Sequence, residues 1–271
     1  MHELPFKQVD VFTDQPFLGN PVAVVIGAED LEAAAMQRIA RWTNLSETTF
    51  LLKSEVADYR LRIFTPAQEL PFAGHPTIGS AHAALESGFV RDKSKLTQEC
   101  GVGVLELEAE SETIFVKGPQ PKIADVRKKL PFASKLLRID VGAVWVVGEV
   151  PDSKRLAELK PDMQSLAAFS IDHEAAGVTL FAASRDDDAS MHVRSFAPAH
   201  GIPEDPVCGS GNLAVAAYLQ ATNQLARFGS RYVARQGMQV GRDGRVHVRV
   251  DPDGIRVGGA AVTCIDGRLR A

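Results

Sequence analysis

Two short stretches of this sequence combine glycine with side chains able to hold or move a proton. One runs Glu69-Leu70-Pro71-Phe72-Ala73-Gly74-His75-Pro76-Thr77, the other Glu204-Asp205-Pro206-Val207-Cys208-Gly209-Ser210-Gly211-Asn212. Each follows a β-type run and precedes an Ala-rich apolar segment, residues 78–87 and 212–222, so each reads as a strand-to-helix junction. Pro76 suits the first turn of a helix, where its missing N–H is not needed. A helix start offers unpaired backbone N–H groups and the positive end of the peptide dipole, and glycine lets a ligand approach that backbone closely. The chemistry this favours is holding a carboxylate, or the oxyanion that forms when a proton leaves the carbon beside one. Gly and Pro ahead of a helix are also ordinary turn residues, so a single junction carries little; two at equivalent places carry more. Neither stretch is a phosphate loop, and Gly209-Ser210-Gly211-Asn212 is too short for a dinucleotide fingerprint.

The elements that must position these junctions are themselves duplicated. Arg62-Ile-Phe-Thr-Pro-Ala returns as Arg194-Ser-Phe-Ala-Pro-Ala, an offset of 132 residues (62 to 194). Thr48-Thr49-Phe50-Leu51 resembles Thr179-Leu180-Phe181-Ala182, and Val9-Asp10-Val11 resembles Ile139-Asp140-Val141, in the same order and at nearly the same offset. The chain therefore reads as two homologous halves, 1–118 and 119–271, joined near Gly118-Pro119-Gln120-Pro121, with the C-terminal strand free to return to the first half. Runs rich in Val, Ile, Thr and Phe predict strands at 21–26, 48–52, 59–64, 104–107 and 113–116, then at 144–147, 178–182, 191–196, 246–250 and 254–257. Amphipathic helices are expected over 30–43 and 153–166, while the two Ala-rich segments are apolar nearly all round and must be buried. The expected fold is α+β: two pseudo-symmetric halves, each a barrel-like, mostly antiparallel sheet wrapped around a central helix. If the halves face each other, both helix starts serve one cleft.

Composition narrows the partners. Thirty Lys and Arg against 34 Asp and Glu leave a formal charge of -4 on 271 residues, with no basic excess of the kind a nucleic acid requires. Hydrophobic residues at 45% and charged residues at 24% are globular usage. The longest apolar stretch, Val141 to Val147, is far too short to span a bilayer, and Met1-His2-Glu3-Leu4-Pro5 lacks the basic flank of an export signal, so the reading is a cytoplasmic protein without membrane partners. Cys100, Cys208 and Cys264 are odd in number and widely spaced, and the seven histidines form no ligand pattern, so neither disulfides nor a metal site is expected.

Asn44-Leu45-Ser46-Glu47-Thr48-Thr49-Phe50, the Ala73-Gly74-His75-Pro76-Thr77 core and Glu204-Asp205-Pro206 to Gly209-Ser210 resemble the three signature segments of the PhzF family of phenazine biosynthesis. The opening Phe12-Thr13 to Phe17-Leu18-Gly19-Asn20-Pro21-Val22-Ala23-Val24 is similar as well, so the likeness runs nearly end to end. The resemblance implies the diaminopimelate epimerase fold, a homodimer, and an isomerase acting on a small carboxylate-bearing molecule with no metal or organic cofactor. The family's best-known member moves a hydrogen within a dihydro-hydroxyanthranilate, using a glutamate as proton shuttle.

By motif position that glutamate is Glu47, whose carboxyl would need its pKa raised by desolvation; Leu45, Phe50 and Phe72 are candidates for the apolar wall. The resemblance gives His75 and Asp205 supporting catalytic roles. Ser46, Asn20, Gly74, Cys208, Gly209 and Ser210 are the expected substrate-binding residues. The repeat equivalent of Glu47 falls near Ala176-Gly177, where no carboxylate stands. Cofactor-independent amino-acid epimerases of this fold use one cysteine at each helix start, and here Ala73 aligns with Cys208, so half of that pair is missing. Cys208 reads either as a small buried residue or as a thiol acidified by its helix start and able to act beside Glu47. Two alternatives therefore stand: a racemase, epimerase or dehydratase of an amino acid or hydroxyproline-like compound using Cys208, and a non-catalytic ligand-binding protein on the same scaffold.

Overall fold

The computed structural model describes residues 3–91, 93–186 and 188–271. The chain divides into two compact units, Met1–Lys117 with Gly258–Ala271, and Gly118–Val257. The first unit holds β1 (Glu3–Val11), β2 (Asn20–Ile26), α1 (Ala33–Thr43), β3 (Glu47–Leu52), β4 (Tyr59–Phe64), β5 (Glu69–Leu70), α2 (Gly74–Glu86), β6 (Lys95–Cys100), β7 (Gly103–Glu110) and β8 (Thr113–Lys117). The second holds β9 (Lys122–Asp125), β10 (Leu137–Asp140), β11 (Val144–Glu149), α3 (Ser153–Glu158), α4 (Met163–Asp172), β12 (Gly177–Asp186), β13 (Ala189–Ala197), β14 (Ile202–Asp205), α5 (Gly209–Ala221), α6 (Leu225–Phe228), β15 (Arg231–Gln236), β16 (Gly244–Asp251) and most of β17 (Gly254–Gly259). The last strand, β18 (Ala261–Arg270), returns to pair with β1.

The two units repeat the same pairing rules. In the first, β1–β2 is antiparallel, β2–β3 parallel, β3–β4 antiparallel, β4–β6 parallel and β6–β7 antiparallel. In the second, β10–β11, β11–β12, β12–β13, β13–β15 and β15–β16 follow the identical order of directions. Each parallel step is bridged by helix, as parallel neighbours require a crossover. The fold is α+β, two pseudo-symmetric halves each built from a mostly antiparallel sheet around a central helix, α2 or α5, whose residues are buried on nearly every side. The repeat reaches single contacts. Arg62 forms a two-point pair with Glu69 and lies over the Phe64 ring, and Arg194 does the same with Glu204 and Phe196.

Close approach of α2 to its sheet depends on Gly79, where a Cβ would stand 2.5 Å from Val22 Cγ1 and 2.8 Å from Val11 Cγ2. Gly79→Val should therefore cost about 1–3 kcal/mol by overpacking, read as a lowered urea midpoint; an unchanged midpoint would mean the helix has room it does not show. One sequence expectation is corrected. The helix expected over 153–166 is two, because Pro161 cannot donate an N–H and drives Lys160 out of helical geometry, after which Asp162 caps α4 through Gln164 N. Among the described residues no helix is long and apolar enough to cross a membrane.

Candidate active site

Strand alternation decides which way Glu47 points. On β3, Thr49 Oγ1 meets Ser80 Oγ of α2 at 2.8 Å, so the row that includes residue 49 faces the central helix. Glu47, two residues earlier, lies in that same inward row at the strand's first position, opposite Val22 of β2. Phe50 lies in the other row and packs with Met36, Ala40 and Phe64 against α1. The expectation that Phe50 forms the wall beside Glu47 is thereby corrected; an odd spacing along a strand puts the two on opposite faces. Leu45 and Phe72 are half-buried. The chain reaches β3 through Asn44, in left-handed geometry at φ 56°, which closes α1 by donating its N–H to Ala40 O and reverses the backbone.

Glu47 is 15% exposed, and burial pushes its carboxyl up to about 7 from an ordinary 4.5, with the neighbouring Ser46 hydroxyl opposing the shift. Its Oε2 lies 3.3 Å from His75 Nε2, an ion-pair distance without hydrogen-bond alignment. Both Glu47 Oε2 and Ser46 Oγ are buried with no well-aligned partner, an arrangement that a folded protein rarely keeps without a use for it. His75 is buried at the second position of α2, directly after Gly74. Ala73, the N-cap, supplies no capping oxygen, so nothing on its side chain competes for the first N–H groups of the helix. Asn20 is buried at the head of β2, two residues before the partner of Glu47.

In the second unit Cys208 is the N-cap of α5, its Sγ accepting from Gly211 N at 3.3 Å and standing 3.6 Å from Ser210 Oγ. Ser210 Oγ in turn accepts from Trp145 Nε1 at 3.0 Å. Gly209 and Ser210 open α5 as Gly74 and His75 open α2. Asp205 ends β14 and accepts from Val207 N through Oδ1 at 3.2 Å. Of the two readings of Cys208, the small buried residue fits and the acidified thiol does not. Burial, followed by the negative charge of Asp205, pushes the thiol well above the usual range, and these outweigh the hydrogen bonds from Ser210 and Gly211.

The structure thus brings Glu47 and His75 together in the first unit, and sets Asp205, Cys208, Gly209 and Ser210 along one strand-to-helix junction in the second. The strand register puts Gly177 of β12 where β3 has Glu47, so only one half carries the carboxyl. Trp145 went unread in the sequence, since nothing in a strand of Val and Trp marks one indole as the donor to a serine far along the chain. Among the described residues no group of three or more His, Cys, Asp or Glu could hold a metal ion.

Comparison with known proteins agrees over nearly the whole chain. The profile of the PhzC-PhzF family, phenazine biosynthesis-like proteins, matches residues 9–267. Antisense-enhancing sequence 1 of Schizosaccharomyces pombe is 40% identical over 296 residues, covering 99% of each chain. The trans-2,3-dihydro-3-hydroxyanthranilate isomerase of Pseudomonas aeruginosa is 34% identical over 272 residues, 94% of this chain and 93% of that one. A crystal structure of a PhzF family phenazine biosynthesis protein from Bacillus anthracis is similar over 100% of both chains, with a TM-score of 0.89 and 27% identity.

Proposed function

This chain belongs to the phenazine biosynthesis-like (PhzC-PhzF) family, and from that premise we propose an isomerase that moves one proton between two carbons of a small carboxylate-bearing molecule, with Glu47 as the only carrier. The observation that carries the reading is the buried Glu47 carboxyl, raised to about 7 and 3.3 Å from His75. Near neutral pH such a group is present in both forms in comparable amounts. As carboxylate it takes a proton from a carbon made acidic by an adjacent carboxylate or conjugated double bond, and as carboxylic acid it returns that proton to a carbon farther along. One proton leaves and the same proton re-enters, so no electron acceptor is required and the carboxyl ends as it began.

Charge left on the substrate while Glu47 holds the proton spreads onto the substrate's carboxylate oxygens. The start of α2, where the Ala73 N-cap side chain makes no capping bond, suits that charge, and each preorganised N–H donor of this kind lowers a barrier by about 3 kcal/mol. His75 holds the Glu47 carboxyl in place. Ser46 and Asn20 are assigned to the substrate's polar groups, and the family likeness gives the same role to Asp205, Gly209 and Ser210. A thiol route through Cys208 is disfavoured, since its pKa is raised and the matching position is Ala73.

The test is incubation in heavy water with trans-2,3-dihydro-3-hydroxyanthranilate, and separately with proline and 4-hydroxyproline, followed by mass analysis for deuterium on carbon. Incorporation is expected with the cyclic dihydro compound; its absence from every compound sinks the proposal for this class. Cys208→Ala should keep the exchange rate within about threefold, whereas loss of exchange in that variant would restore the thiol as acid or base.

A further inference from the structure

The loop that leads into α5 is held by buried side-chain amides at two of its peptide carbonyls, those of Asp205 and Cys208. Gln236 and Asn212 are fully buried. Gln236 Nε2 donates to Asp205 O at 3.0 Å, while Asn212 Nδ2 donates to Cys208 O at 2.9 Å and to Gln236 Oε1 at 3.1 Å. The direction of this relay is forced. Two oxygens converge on Asn212 Nδ2, so its amide cannot be reversed, and Gln236, accepting on Oε1, must present its NH2 to Asp205. The arrangement leaves Asn212 Oδ1 buried without a bond, a cost an apolar residue would avoid. Between those anchors, Gly237 at φ 104° approaches so closely that a Cβ would stand 2.6 Å from Pro206 O, and a Cβ on Gly244 would stand 2.4 Å from Val207 Cγ2.

The first unit supplies the comparison. Counting from the caps Ala73 and Cys208, Pro71 stands where Pro206 stands and Thr77 where Asn212 stands. Gly101 presses on Pro71, a Cβ there lying 2.6 Å from Pro71 Cα, as Gly237 presses on Pro206. The residue ahead of the glycine, however, is Cys100 rather than Gln236, and Thr77 Oγ1 instead accepts from Gln98 Nε2 at 3.3 Å. The glycine-against-proline contact is common to both halves; the amide relay belongs to the second alone.

We propose that Asn212 and Gln236 are positioning residues of the isomerase, fixing Asp205 and the N–H groups of Gly209 and Ser210 before substrate arrives. The proposal rests on the reading above that Asp205 contacts substrate. Positioning of this kind lowers the reorganisation needed at the moment of reaction.

Gln236→Met and Gln236→Glu keep the size and remove the donor to Asp205; each is compared with wild type by amide hydrogen exchange, and by turnover of trans-2,3-dihydro-3-hydroxyanthranilate alone and combined with Asp205→Asn. Amide exchange over 207–211 should rise about tenfold or more, with residues 74–80 and the β12 and β13 amides unchanged. Turnover should show kcat down about tenfold with KM within about twofold, and no further loss in the Asp205→Asn background. Unchanged exchange over 207–211, or an equal rise throughout the second unit, overturns the relay. An equal loss of kcat with and without Asp205→Asn overturns the positioning role. Wild-type turnover in Asp205→Asn alone instead overturns the reading of Asp205, which the amide exchange does not test.

Discussion

Glu47→Gln loses at least about a thousandfold of carbon–deuterium exchange while keeping the fold, because the amide is isosteric with the carboxyl but can neither accept nor return the proton. The same substitution makes a second, independent measurement possible. The folded-state pKa of Glu47 is raised from 4.5 to about 7, so the folded protein binds this proton more tightly than the unfolded chain does. Its contribution to stability is complete below about pH 4.5 and disappears as pH rises through about 7, leaving a penalty above that of up to about 3 kcal/mol. Gln carries no charge to desolvate. Glu47→Gln should therefore match wild type near pH 4 and exceed it by up to about 3 kcal/mol at pH 8.5, seen by urea unfolding at the two pH values. The wild-type rate should rise with pH through about 7 as the base form appears. A variant that is inactive but gains no stability at high pH would place the carboxyl in water and remove the physical basis of the mechanism.

Glu204→Ala should lower stability by about 3–5 kcal/mol, while Glu69→Ala, the same deletion in the other half, should cost under about 1 kcal/mol. Both glutamates pair at two points with an arginine that lies over a phenylalanine, so chemistry and geometry are matched. Burial separates them. Arg194 and Glu204 side chains are 6% and 8% exposed, against 21% and 41% for Arg62 and Glu69. Removing Glu204 leaves a dry guanidinium with its charge held against the Leu156 and Leu159 carbonyls at the end of α3. In a unit of this size the difference amounts to a melting temperature lower by roughly 10 °C, and equal losses in the two variants would mean that water reaches Arg194.

Much of the architecture was legible because local rules govern it. The runs at 59–64 and 113–116 were read from their β-branched and aromatic content, and both stand as strands with nearly those limits. The charged strands escaped: Lys95–Cys100 and Arg231–Gln236 carry too many polar residues to look half-buried, and they are strands because neighbours supply the ladder. The break within 153–166 is written in the sequence too, at Pro161, which cannot continue a helix.

For the candidate site the division is sharper. Sequence by itself determined the duplication, the two glycine-fronted helix starts, the lack of a carboxylate near Ala176-Gly177 to match Glu47, and Ala73 against Cys208, since residue identity and spacing are written in the chain. Only the tertiary structure decided that Glu47 is dry and beside His75, that the Cys208 thiol is raised and not lowered, and that two buried amides hold the second loop. Those are properties of distance and dielectric between segments far apart in sequence, set by strand register and helix packing, and no local pattern encodes them.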